Sequence, residues 1–164
     1  MPWSPMVREN RENSKGVRFA HTLCSLEGYA ALLGLVMIPD EARNSEVTIY
    51  VDNTGFVGVY KKPHSKCAYS YTLAKAIYDV GRGLGCQVNV VKTRRCSNAP
   101  EIAADALSVG DWERAWEHMP MKEVDPRRLP VVLLRWIQNP YPDLSIGKEI
   151  LEEMSTYTNV LLKK

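Results

Sequence analysis

The spacing of apolar residues changes several times along this 164-residue chain, and each change predicts an element. Residues 1–15 are polar and turn-rich. Gly16-Val17-Arg18-Phe19-Ala20-His21-Thr22-Leu23 then alternates in the manner of a half-buried strand. Leu26, Ala30, Leu33 and Met37 recur at helical spacing until Pro39, with Ser25 as a candidate cap and Glu27 in the first turn. Val47 to Val51 is almost continuously apolar, which predicts a central strand covered on both faces. Thr54 to Tyr60 reads as a short helix of poor propensity. Gly55 and Gly58 each cost roughly 1 kcal/mol relative to Ala there, which close packing would offset. After the turn-like Lys62-Pro63-His64-Ser65-Lys66, an amphipathic helix runs from about Tyr69 to Arg82, and Gly83 and Gly85 end it. Gln87 to Thr93 is a further strand. Asn98 and Glu101 stand three apart at the head of a helix carrying Asp105, close to a capping box.

Beyond Gly110 the strands stop. Trp112 and Trp116 form an i, i+4 pair read as packing residues, with base stacking as the alternative if they are exposed. Pro130 opens Val131 to Ile137, the turn Asn139-Pro140-Tyr141-Pro142-Asp143 follows, and a last amphipathic helix aligns Ile146, Ile150, Leu151 and Met154. The pattern predicts an α/β protein in three parts: a polar segment over 1–15, an α/β domain over 16–110 and a helical C-terminal extension over 111–164.

Composition narrows the class. An apolar fraction of 45% with 24% charged residues excludes a disordered chain. A net charge of +2 means that any nucleic-acid argument must rest on clustering. Cys24, Cys67, Cys86 and Cys96 form no CxxC pair, which argues against a zinc site or a disulfide framework. No apolar run approaches the ~20 residues of a membrane helix, and the N-terminal region, with Glu9, Arg11 and Glu12, has no signal-peptide core. The expectation is a soluble intracellular protein of the cytoplasm or nucleus, without a membrane partner.

Three acids stand in apolar company: Glu27 before Gly28-Tyr29-Ala30-Ala31, Asp52 at the end of Thr48-Ile49-Tyr50-Val51, and Asp105 within Ile102-Ala103-Ala104-Asp105-Ala106-Leu107. Each has a plain alternative. Glu27 can favour the positive end of its helix, Asp52 can cap the next helix, and Asp105 can face solvent. Taken together, a strand-end acid and two helix-borne acids can converge, and clustered carboxylates need a cation to offset their mutual repulsion. Oxygen donors suit Mg²⁺, and a pair of such ions can activate water and stabilise the leaving oxygen of a phosphodiester.

The order of strand, Glu-helix, Asp-ended strand, helices, strand and Asp-helix, with Val51-Asp52-Asn53 and Ala104-Asp105-Ala106-Leu107-Ser108, resembles the ribonuclease H region of reverse transcriptases from DIRS-like retroelements. The acids lie 25 and 53 residues apart, as in that family. The resemblance covers roughly residues 16 to 110. It implies a mixed sheet flanked by helices, two Mg²⁺ ions (or Mn²⁺) held by Glu27, Asp52 and Asp105, and hydrolysis of the RNA strand of an RNA–DNA hybrid alongside an upstream polymerase domain. Two departures stand out. The resemblance implies a first strand with an aspartate some thirty residues before the Glu-helix, whereas the sequence begins 26 residues before Glu27; the expectation is either a fragment of a longer polyprotein or N-terminal residues that re-pair, with Glu9 and Glu12 as acids near the right place. Where the family carries an asparagine four residues before the last aspartate, this chain has Glu101.

Lys61, Lys62, Lys66, Lys92, Arg94 and Arg95, with Asn53, flank the acids in sequence and are candidates for holding nucleic-acid phosphates, the alternative being a solvated surface. His21, His64 and His118 have no ligand partner at recognisable spacing. Two functions compete: a metal-dependent ribonuclease H-type nuclease, incomplete in this chain, and a catalytically inactive scaffold of the same fold that binds nucleic acid or protein. A DNA-cutting relative of the same fold shares the first chemistry.

Overall fold

A computed structural model describes residues 23–62, 67–94, 97–119 and 129–161. The first helix, α1, is Leu23–Met37, and the single turn α2 is Pro39–Ala42. Strand β1, Glu46–Val51, leads to α3, Thr54–Lys61, and α4, Ala68–Leu84. Strand β2, Gln87–Lys92, leads to α5, Ala99–Ser108, and α6, Trp112–His118. Helices α7, Val131–Gln138, and α8, Ile146–Leu161, follow. The chain is thus mixed α/β and mostly helical. Among the described residues the sheet has two strands, β1 and β2, parallel and in register from Glu46 opposite Gln87 to Val51 opposite Lys92.

Parallel neighbours need a crossover, and α3 with α4 supplies it. Asn53 caps α3 by accepting from the Phe56 amide at 3.0 Å. Gly85, at φ 69°, closes α4 in the left-handed conformation that glycine adopts without penalty. Helices α1, α3 and α4 pack on the sheet through Val47, Ile49, Val51, Val88 and Val90. Glu46, Thr48 and Tyr50 alternate with these and are exposed. The expectation that β1 is covered on both faces therefore does not hold among the described residues. A strand carrying Thr48 and Tyr50 on one side suits a half-solvated sheet, and its apolar run misled because both residue types are good strand formers.

Other local expectations shift as well. Leu23, assigned to a strand, opens α1, so Ser25 is buried inside the helix and Glu27 is its fifth residue. The buried stripe of α1 runs through Leu26, Tyr29, Leu32 and Val36, whereas Ala30 is exposed and Leu33 and Met37 are half-buried. The close approach falls at Gly28: a Cβ there would stand 2.3 Å from the Phe56 ring. A Cβ at Gly58 would meet nothing within 4 Å. Gly83 lies inside α4 instead of ending it. The strand expected over 16–22, the polar segment 1–15, and His21, His64, Lys66, Arg95 and Cys96 lie outside the described residues.

The last two helices belong to the main core. Val132, Leu133 and Trp136 of α7 and Ile146 and Ile150 of α8 are fully buried with Leu32, Phe56, Leu73 and Ile77. Trp136 stacks on Tyr29 at a ring separation of 6.0 Å, and its indole N–H donates to the Tyr141 carbonyl at 2.8 Å. The Tyr29 hydroxyl donates to the Leu133 carbonyl at 3.2 Å. Pro130 offers α7 no side-chain cap, and Glu153 of α8 supplies one, accepting from the Val131 and Val132 amides. By contrast α5 packs chiefly on α6, around Ala103, Ala106 and Ala115. Trp112 and Trp116, expected in the packing, are 51% and 49% exposed, because Ala115 is the residue of α6 that faces α5.

Candidate functional site

Because β1 and β2 run the same way, both release their chains at one edge of the sheet. In open α/β sheets, ligands enter the crevice outside the carboxyl ends of the strands. The Thr93 amide donates to the Val51 carbonyl at 2.9 Å, extending the ladder to the point where β1 ends. Asp52 is the next residue, exposed, with its backbone carbonyl accepting from the Lys92 ammonium at 2.9 Å. The cap at Asn53 turns the chain into α3 immediately afterwards. Strand end and helix start together leave the Asp52 carboxylate at the sheet's edge.

A cleft of about 200 Å³ opens at this edge. Glu27 of α1 lines one side; Tyr50, Val51 and Asp52 close the strand end with Thr93; and a single stripe of α5, Glu101, Ala104, Asp105 and Ser108, forms the opposite wall. The i, i+4 and i, i+7 spacing of that stripe is what puts four residues of one helix on one surface. Glu27, Asp52 and Asp105, 78 residues apart at the extremes, thus line one cleft.

Glu27 is half-buried, and the burial of Leu26 and Gly28 on either side in sequence anchors this turn of α1 in the core. Its charge reaches the Cys24 thiol one turn back: burial chiefly, with added pushes from Cys67 and Glu27, raises that thiol above its usual range. Asp105 is half-buried as well, and its backbone carbonyl accepts from Ser108 at 2.7 Å. Glu101 accepts from the Ser97 amide at 2.9 Å, the Ser97 hydroxyl at 2.8 Å and the Asn98 side chain at 3.2 Å, while Asn98 accepts in turn from the Glu101 amide at 3.1 Å.

Among the described residues no three His, Cys, Asp or Glu side chains gather tightly enough to hold a metal ion directly. The donors are nonetheless of the hard-oxygen type, and Mg²⁺ is commonly held through one or two carboxylates while keeping several waters. A cleft of this size has room for such waters. The donor chemistry fits a partly hydrated ion.

None of the described basic residues lines the cleft. Lys61 and Lys62 are exposed at the end of α3, Lys92 and Arg94 are exposed at the end of β2, and Lys92 is tied to the cleft residue Asp52. Asn53 contributes as a cap, since its side-chain oxygen takes the Phe56 amide. His118 is exposed at the end of α6. Sequence reasoning did not pick out Tyr50, Thr93, Glu101 and Ser108 as cleft residues. For Glu101 and Ser108 the signal was present, one helical turn on either side of Asp105; for Tyr50 and Thr93 it was the register of two parallel strands, which residue spacing does not carry.

No known family description matches the chain, and no solved structure matches it. A tRNA pseudouridine synthase B from Brucella anthropi is similar, 38% identical over 99 residues, across 52% of this chain. The chain spans 30% of the length of that curated relative.

Proposed function

We propose that this chain carries a metal-dependent ribonuclease H-type site that hydrolyses the RNA strand of an RNA–DNA hybrid as part of a retroelement reverse transcriptase. The observation that carries the reading is the meeting of Glu27, Asp52 and Asp105, from three separate elements, in one cleft at the carboxyl edge of the sheet. By the resemblance, Glu27 and Asp52 would hold the ion on the side of the attacking water, and Asp105 the ion on the side of the leaving oxygen. Bound divalent ions supply charge stabilisation and an activated water to phosphodiester cleavage. The chain's own part is to fix the acids: Asp52 by the strand end and the α3 cap, Glu27 by the packing of α1, and Asp105 by α5. Lys92 and Arg94, exposed where β2 ends, would attract the phosphates of either strand without reading sequence, and Lys61 and Lys62, exposed at the far end of α3, would add to that attraction away from the cleft. The similarity to an enzyme named for tRNA is compatible with an RNA partner and does not choose the reaction.

The test is cleavage of a labelled RNA–DNA hybrid by the purified chain in Mg²⁺ or Mn²⁺. Asp52→Asn is expected to reduce cutting about a thousandfold, since the charge stabilisation removed is worth several kcal/mol. A folded chain that leaves the hybrid intact, yet binds it in a salt-sensitive way that survives Asp52→Asn, would replace this reading with the inactive scaffold. What favours that second reading is that the described carboxylates share a cleft without three of them drawing close.

A further inference from the structure

We infer that Glu101, although it lines the cleft with the three acids, is a positioning residue that fixes α5, and through it Asp105, against the end of β1. The inference rests on the nuclease reading of the same cleft and deepens it. A carboxylate beside three others would be taken as one more metal ligand. Its hydrogen bonds argue for a different role.

Both oxygens of Glu101 already have donors: Oε2 takes the Ser97 amide and hydroxyl, and Oε1 takes the Asn98 side-chain amide. Asn98 completes the reciprocal arrangement by accepting from the Glu101 amide. This is a capping box shifted by one residue, the acid reaching the amide just before the cap. The donors belong to the segment that joins β2 to α5. Ser97 also donates to the Arg94 carbonyl at 3.2 Å, and Thr93 is bonded to the Val51 carbonyl at the strand end. Through Thr93 and Arg94, which are consecutive in the chain, these bonds link the end of β1 to Glu101 on the helix that carries Asp105. Among the described residues α5 packs chiefly on α6, through three buried alanines with Leu107 beside them. With so small a contact, the hydrogen-bonded start of α5 governs where its cleft-facing stripe sits. Asp105 is one turn further along that stripe.

The two roles differ in what a neutral side chain can do. A glutamine retains a carbonyl oxygen able to accept from Ser97, and glutamine serves at this position of a capping box. As a metal ligand it would be poor, lacking the charge. Mn²⁺ binding to the intact chain, followed by electron paramagnetic resonance, and amide hydrogen exchange of α5 separate these roles. Glu101→Gln is expected to bind Mn²⁺ within about twofold of the parent, while Glu101→Ala binds about tenfold more weakly, the scale seen when the support of a metal ligand is removed. Asp105→Asn gives the reference for a lost ligand. Exchange at the amides of Ile102 to Ala106 should quicken in Glu101→Ala and not in Glu101→Gln. If Glu101→Gln weakens Mn²⁺ as much as Asp105→Asn does, Glu101 is itself a ligand and the inference is overturned. Unchanged α5 exchange in Glu101→Ala overturns it too. Failure of the parent chain to bind Mn²⁺ at all would instead remove the nuclease reading, leaving the exchange experiment to decide the role of Glu101.

Discussion

The two walls of the cleft are built to different standards. Glu27 and Asp52 sit on α1 and β1, whose inner faces share a continuous core with α3, α4, α7 and α8, including Phe56, Trp136, Leu133 and Ile146. Asp105 sits on α5, which with α6 buries three alanines and leaves Val109, Trp112, Trp116 and Met119 exposed. Apolar burial contributes roughly 25 cal/mol per Å², so large side chains in the first region stabilise far more than methyl groups in the second. One wall is held by packing, the other by a few hydrogen bonds at its start. The separation of the acids therefore depends on the lightly held side, which is where a bound cation would have most to gain by ordering the structure.

The sharpest way to break this comparison is to truncate one tryptophan in each region. Trp136→Ala removes a fully buried ring stacked on Tyr29 and should cost about 3–5 kcal/mol in urea unfolding. A loss under about 1 kcal/mol would mean that α7 is not part of the core. A smaller effect reads the same core through pH. Burial pushes the Tyr29 phenol up to about 12, against about 10 in an unfolded chain. The folded state holds that proton more tightly, so its contribution is fully present below pH 10 and is lost as pH rises through 12. The loss is about 3 kcal/mol, and Tyr29→Phe should flatten that part of the stability curve. The smallest effect belongs to the second region: Trp116→Ala, at a half-exposed ring, should change stability by no more than about 0.5 kcal/mol. A larger cost would show that α6 is held by more than Ala115.

The acids were legible in the sequence because each is marked by its own element. A β-branched run ending in Asp52 announces a strand edge, Glu27 stands between the buried Leu26 and Gly28, and Asp105 interrupts an apolar helix beside the buried Ala106. The capping box at Asn98 and Glu101 was legible for the same reason, being purely local. What the sequence did not disclose depends on partners far along the chain. The inner face of α1 is set by Phe56 and Trp136, so Tyr29 and Leu32 point inward where spacing alone favoured Ala30 and Leu33. Trp112 and Trp116 have the spacing of a core stripe, but α5 offers alanines to meet them, and the small Ala115 fits that contact better. Glu101 was legible as part of a helix start, and the resemblance put it at a position where the family carries a substrate-contacting asparagine, but its hydrogen bonds to Ser97 and Asn98 were not legible.

The parallel pairing of β1 and β2 gives the chain separate addresses for durability and for chemistry. Substitutions in the loops that leave the two strands, at 52–53 and 93–94, alter the mouth of the cleft without changing a residue of the large apolar interior. Such a layout lets the reactivity of the edge be revised repeatedly while the scaffold beneath it stays as it is.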